Sequence, residues 1–132
     1  MATIYAAVSK ANQAWAADVG LGKSVYKLGV VDGQTPEQAL AGFAGQTDWV
    51  VLASDDTDIA EADALERLGR KEKAVDPNYY PKLRGAQGLF KVNLTGVENS
   101  MLVALALDGR ETKNLKVKPA DIGRYLIANA VR

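Results

Sequence analysis

The sequence predicts a single small α/β domain whose central, mostly antiparallel sheet is flanked by helices, and three stretches carry that expectation. Residues 24–31, "SVYKLGVV", set β-branched and aromatic side chains between "GLGK" and the turn-forming "DGQ", as a strand does. Next, Thr35 is placed to cap a helix, Pro36 to take its first position and Gln38 to close a capping box. Residues 49–53, "WVVLA", form a continuous apolar run of strand length, the pattern of a strand covered on both faces. The 132 residues suffice for one core, since a chain of this size buries roughly two thirds of its unfolded surface.

The elements follow in order. Residues 3–8, "TIYAAV", read as a short apolar strand, while the alanine-rich continuation to Ala17 fits a helix as well. After the strand at 24–31, a helix over 36–44 stops at Gly45. After the strand at 49–53, "SDDTDIAEADALERLGR" reads as a helix over 58–68, capped by Thr57 or Asp58 and ended near Gly69. Residues 70–88 hold two prolines, two glycines and two adjacent tyrosines and read as a long ordered loop. Alternation predicts a strand over 89–94, and a helix over 98–107 is stopped by "DG". A last strand over 115–118 leads through Pro119 into a terminal helix that runs to about Val131.

Composition narrows the function classes. The chain has 48% apolar and 24% charged residues, which is ordinary for a globular domain and argues against disorder. Its longest apolar run, residues 101–107, is too short to cross a bilayer. Lys10, Asn12 and Gln13 interrupt the N-terminal "TIYAAVSKANQAWAA", so it lacks the pattern of a secretory signal. A cytoplasmic protein without a membrane partner is the expectation. With no cysteine there is no disulfide framework, thiolate nucleophile or cysteine-bound zinc. With no histidine there is no Ser-His-Asp triad and no imidazole ligand. A general base must then be Tyr, Lys, Asp or Glu, and oxygen ligands favour a magnesium-like or calcium-like ion.

The zero net charge hides an asymmetry. Residues 1–66 carry three lysines against ten acids, a net −7, and residues 67–132 carry thirteen lysines and arginines against six acids, a net +7. If the asymmetry survives folding, a basic face can meet phosphate, or basic and acidic faces of neighbouring copies can meet each other. The densest acids are Asp55, Asp56, Asp58, Glu61, Asp63 and Glu66. Acids in a first helical turn ordinarily offset the helix dipole. Glu66 differs, because on a helix it shares the edge of the apolar stripe of Ile59 and Ala62, from where it either reaches the solvent rim or faces a cleft as a metal ligand. A second constellation sets Tyr79 and Tyr80 among Arg70, Lys71, Lys73, Lys82 and Arg84. Aromatic faces interleaved with cations stack bases and neutralise phosphates of DNA or RNA, although tyrosines between prolines also pack loops onto their own domain. "GLGKS" at 20–24 lacks the first glycine of a phosphate-binding loop and precedes a strand.

The order of elements then becomes informative: an Ile-Tyr strand, a "YKLG" strand, a "TPEQ" helix start, an apolar strand, a helix bearing Glu66 and "GLFKVNLTG". This resembles the GIY-YIG nuclease superfamily over about residues 3–107, with residues 108–132 lying outside as a strand–helix extension. The resemblance implies an active site in which the tyrosines matching Tyr5 and Tyr26 lie close together, Gly29 completes the second motif, and Glu66 binds a divalent ion such as magnesium. The chain departs from the pattern at three places. Thr3 replaces the first motif's glycine, residues 11–23 lengthen the connection between motifs, and Ala39 stands where the family's phosphate-stabilising arginine is expected. Losing such a group costs about a hundredfold or more in rate. The resemblance therefore implies a non-catalytic or weakly active nucleic-acid-binding or inhibitory module. A divergent magnesium-dependent endonuclease and a protein-interaction or self-assembling domain are the alternatives.

Overall fold

Ser9 divides the N-terminal segment between strand and helix. Its backbone is extended (φ −125°, ψ 124°), its hydroxyl accepts the Asn12 N–H, and it donates to the Asp48 carboxylate. The computed structural model describes residues 2–20, 24–43, 46–75, 88–107, 109 and 118–131. Its elements are β1 (Ala2–Val8), α1 (Lys10–Asp18), β2 (Val25–Val31), α2 (Pro36–Leu40), β3 (Val50–Thr57), α3 (Glu61–Gly69), β4 (Lys73–Ala74), β5 (Leu89–Lys91), α4 (Leu94–Leu107) and α5 (Pro119–Ala130). The strands form one five-stranded sheet in the order β3-β1-β2-β5-β4, with every pairing antiparallel. The α/β architecture read from the sequence is the observed one.

Register decides which residues meet. Tyr5 pairs with Gly29, Ala6 with Leu28 and Ala7 with Lys27. Because side chains alternate across a sheet, Ile4, Ala6, Tyr26 and Leu28 share one face. There they pack with Ala64 and Leu68 of α3, Val97 of α4, and Ile122, Leu126, Ile127 and Ala130 of α5. Each fully buried aliphatic side chain in this cluster contributes about 1.5–3 kcal/mol. The opposite face takes Tyr5, Ala7 and Val31 under Leu40 of α2, and Val25 and Leu89 under Ala16 of α1. Helices cover both faces, and the terminal helix belongs to the principal core. Gly123 lets α5 approach β3, because a Cβ there would stand 2.9 Å from Leu52 Cβ and 3.0 Å from Ala53 Cβ.

The structure corrects several boundaries. β3 runs on to Thr57, and α3 starts after Ala60, whose side chain makes no capping bond, so Thr57 and Asp58 are not the cap. The acids at 55 and 56 belong to an edge strand. The expected loop after residue 70 contains β4, and β5 ends at Lys91 because Asn93 initiates α4 by accepting the Thr95 N–H at 3.0 Å. The helix expected from residue 98 therefore begins at Leu94. α2 has five residues, fewer than its apolar pattern suggests. The strand expected at 115–118 lies mostly outside the described residues, and Lys118 is the N-cap of α5.

Candidate functional site

The two motif tyrosines stand on opposite faces of the sheet. Tyr5 is 2% exposed, with its hydroxyl packed over Gly29 on the α1/α2 face, whereas Tyr26 belongs to the α3/α5 cluster. The cause is parity: Tyr5 pairs with Gly29, and Tyr26, three residues earlier on β2, points the other way. Glu66 lies on the exposed side of α3 and bonds Arg70 one turn later, with Arg70 Nη2 donating to Glu66 Oε1 at 2.7 Å. The three residues are not gathered into one cleft.

Burial perturbs the groups beneath α2. It raises the Tyr5 phenol to about 12, with the Glu61 carboxylate adding to the rise. It also lowers the Lys27 ammonium to about 8, which Glu61 partly opposes. Lys27 Nζ lies 4.6 Å from the centroid of the Phe43 ring. Glu61 is drawn to this edge because its Oε1 accepts the Val30 N–H at 3.2 Å. Tyr26 is likewise raised by burial, against the opposing effect of a hydrogen bond from Gln13.

A groove of about 550 Å³ opens elsewhere, at the β4–β5 end of the sheet, lined by Ser24, Lys71, Glu72, Lys73, Lys91, Val92, Asn93 and Thr95. Lys73 and Lys91 are direct cross-strand partners, and neither has an ion-pair partner among the described residues. Like charges set opposite each other in a sheet destabilise it. Lys71 also lines the groove, while its Nζ donates to the Asn129 carbonyl at the end of α5 at 3.2 Å. Glu72 is 6% exposed and both of its oxygens are engaged: Oε1 accepts the Tyr125 hydroxyl at 2.7 Å and Oε2 accepts the Asn93 N–H at 3.0 Å. Burial and this contact with Glu72 raise the Tyr125 phenol to about 12. Three lysines against one carboxylate leave the lining with an excess of two positive charges.

Of the basic constellation read from the sequence, Lys71 and Lys73 reach the groove and Arg70 turns to Glu66. Tyr79, Tyr80, Lys82 and Arg84 lie outside the described residues. Sequence reasoning missed Lys91, Asn93 and Thr95. The "FKVN" alternation does place Lys91 on the face opposite Phe90, but only strand pairing reveals its opposition to Lys73. Two acids and one lysine of the asymmetry can be followed to opposite edges of the sheet. Exposed Asp55 and Asp56 sit on edge strand β3, and Lys73 lies on β4 at the other edge. At about 4.8 Å per strand the two edges are separated by roughly 19 Å. Among the described residues no cluster of three or more acidic side chains could hold a metal. No protein-family model matches the chain, and no curated protein or solved structure matches it either.

Proposed function

We propose that the chain is a non-catalytic nucleic-acid-binding module that holds phosphates in the groove between Lys73 and Lys91. The observation that carries this reading is the cross-strand pairing of those two lysines at the groove. Their mutual repulsion is a cost in the free protein, and a phosphate seated between them turns it into attraction. Ser24, Asn93 and Thr95 add neutral hydrogen-bonding groups around the cations. Glu72 is committed to Tyr125 and Asn93, so it serves as scaffold for the groove. A module that occupies nucleic acid without cutting it also blocks other proteins, which is the inhibitory form of the same reading. The endonuclease alternative draws no support from the separation of Tyr5, Tyr26 and Glu66.

Titration with a labelled oligonucleotide tests the proposal. Binding should weaken with salt, and Lys73→Glu with Lys91→Glu should abolish it or flatten its log-log salt slope by roughly 2, about one unit per lost phosphate contact. Both lysines are exposed, so the fold should survive. Wild-type affinity in the double variant would refute the groove. Incubation with plasmid and magnesium or manganese should leave the DNA intact, and metal-dependent cleavage lost in Glu66→Ala would restore the endonuclease.

A second reading, self-assembly through opposite charges, is favoured by the strand order that sets Asp55 and Asp56 on β3 and Lys73 on β4 at the other edge. It requires a concentration-dependent oligomer at low salt without nucleic acid, dispersed as salt screens the edges.

A further inference from the structure

The second half of α4 is apolar on nearly every side, and its outer surface is exposed: Val103 is 60% and Leu107 84% accessible. A helix apolar all round is ordinarily buried. Here the inner side of α4 is held by Val97 in the core and Met101 packed against it, while Val103 and Leu107 face outward. We propose that the exposed half of α4 is the contact surface of a symmetric dimer, occupied by a second copy of this chain.

Three features select a copy of the chain as the occupant. From Ser100 to Leu107 there is no charged side chain, so the surface can face itself across a two-fold axis without like-charge repulsion. The same face also carries both halves of a helix-packing contact. Val103 and Leu107, one turn apart, form a ridge, and beside them Ser100 and Ala104 floor a trough walled by Tyr125 and Ala128 of α5, about 220 Å³ in volume. A ridge of i and i+4 side chains entering the corresponding trough of a copy is the commonest mode of helix packing. On the trough's rim, Arg124 and Asp121 are already paired at 2.6 Å, so the docking copy leaves no unmatched charge. The patch spans only two helical turns, short of a standard interface, so the dimer is weak and concentration-dependent rather than obligate. The contact is independent of anion binding in the groove, which uses the opposite end of α4.

Sedimentation of the full chain across a wide concentration range, at roughly 0.1 M and 1 M salt, tests the proposal, because that change shortens electrostatic reach from about 10 to about 3 Å. Monomer should convert to dimer with rising concentration equally at both salts. Val103→Glu with Leu107→Glu should raise the dimer dissociation constant by roughly tenfold or more. Ala104→Leu, which fills the trough without adding charge, should weaken the dimer in the same direction. Circular dichroism on both variants separates lost association from lost fold. A chain that stays monomeric throughout, an oligomer that high salt disperses, or a dimer unchanged in both variants would overturn the proposal.

Discussion

Lys27 carries its charge where water scarcely reaches, 5% exposed beside the Phe43 ring and on the same face as Tyr5. Burial lowers its ammonium from 10.5 to about 8, whereas the unfolded chain keeps its proton up to the ordinary value. The unfolded state therefore binds more protons between those limits, and stability rises as pH climbs from about 8 towards 10.5. Tyr5 acts with the opposite sign. Its phenol is raised from 10.0 to about 12, so its contribution is fully present below pH 10 and is lost as pH rises through 12. Urea midpoints should therefore climb above pH 8, peak near 10 and fall beyond. Lys27→Met should remove the rising limb, worth on the order of 3 kcal/mol at its upper bound, and leave the falling one. A flat profile in the native chain would contradict the burial of both groups. Asn12 shows the same tolerance of buried polarity: it is fully buried, and neither of its amide atoms has a hydrogen-bond partner among the described residues. Such an amide costs about 1–3 kcal/mol.

Among the elements, α2 shows how a short helix is held. Its five residues are too few to persist alone. Thr35 Oγ1 accepts the Gln38 N–H at 3.2 Å, Gln38 Oε1 accepts the Thr35 N–H at 2.9 Å, and Leu40 anchors the other end at 3% exposure. Thr35→Ala should cost about 1 kcal/mol. Hydrogen exchange should quicken first at Gln38 and Ala39, with β1 and β2 unchanged; uniform acceleration would show that α2 unfolds only with the whole domain. This capping box was legible in "TPEQ" because all its parts lie within four residues. The start of α3 was not. Its acids suggested a cap, yet pairing with β1 extends β3 as far as Thr57 and pushes the helix on to Glu61.

For the whole molecule, α5 decides whether there is a core. Ile122, Leu126, Ile127 and Ala130 are all buried, and α5 also receives Arg67 Nη1 on the Val131 carbonyl at 3.0 Å and Lys71 on Asn129. At about 1.5–3 kcal/mol per large apolar side chain, losing the helix removes as much as a typical domain's total stability of roughly 5–15 kcal/mol. A chain ending before Pro119 should show no cooperative melt by circular dichroism, and a native-like melt would prove residues 119–131 peripheral. The sequence by itself determined the α/β class, the strands at 24–31 and near 50, the capped start of α2 and the helix opening at Pro119. Those signals are local: periodicity, caps and turn residues act within a few positions of one another. It also contained the charge asymmetry and two of the groove's three lysines, Lys71 and Lys73. Only tertiary structure set Tyr5 and Tyr26 on opposite faces, brought Lys91 against Lys73, and placed Asp55 and Asp56 at the sheet edge opposite Lys73. Each of these follows from strand register and strand order, which are fixed by burying two faces at once between residues far apart in the chain.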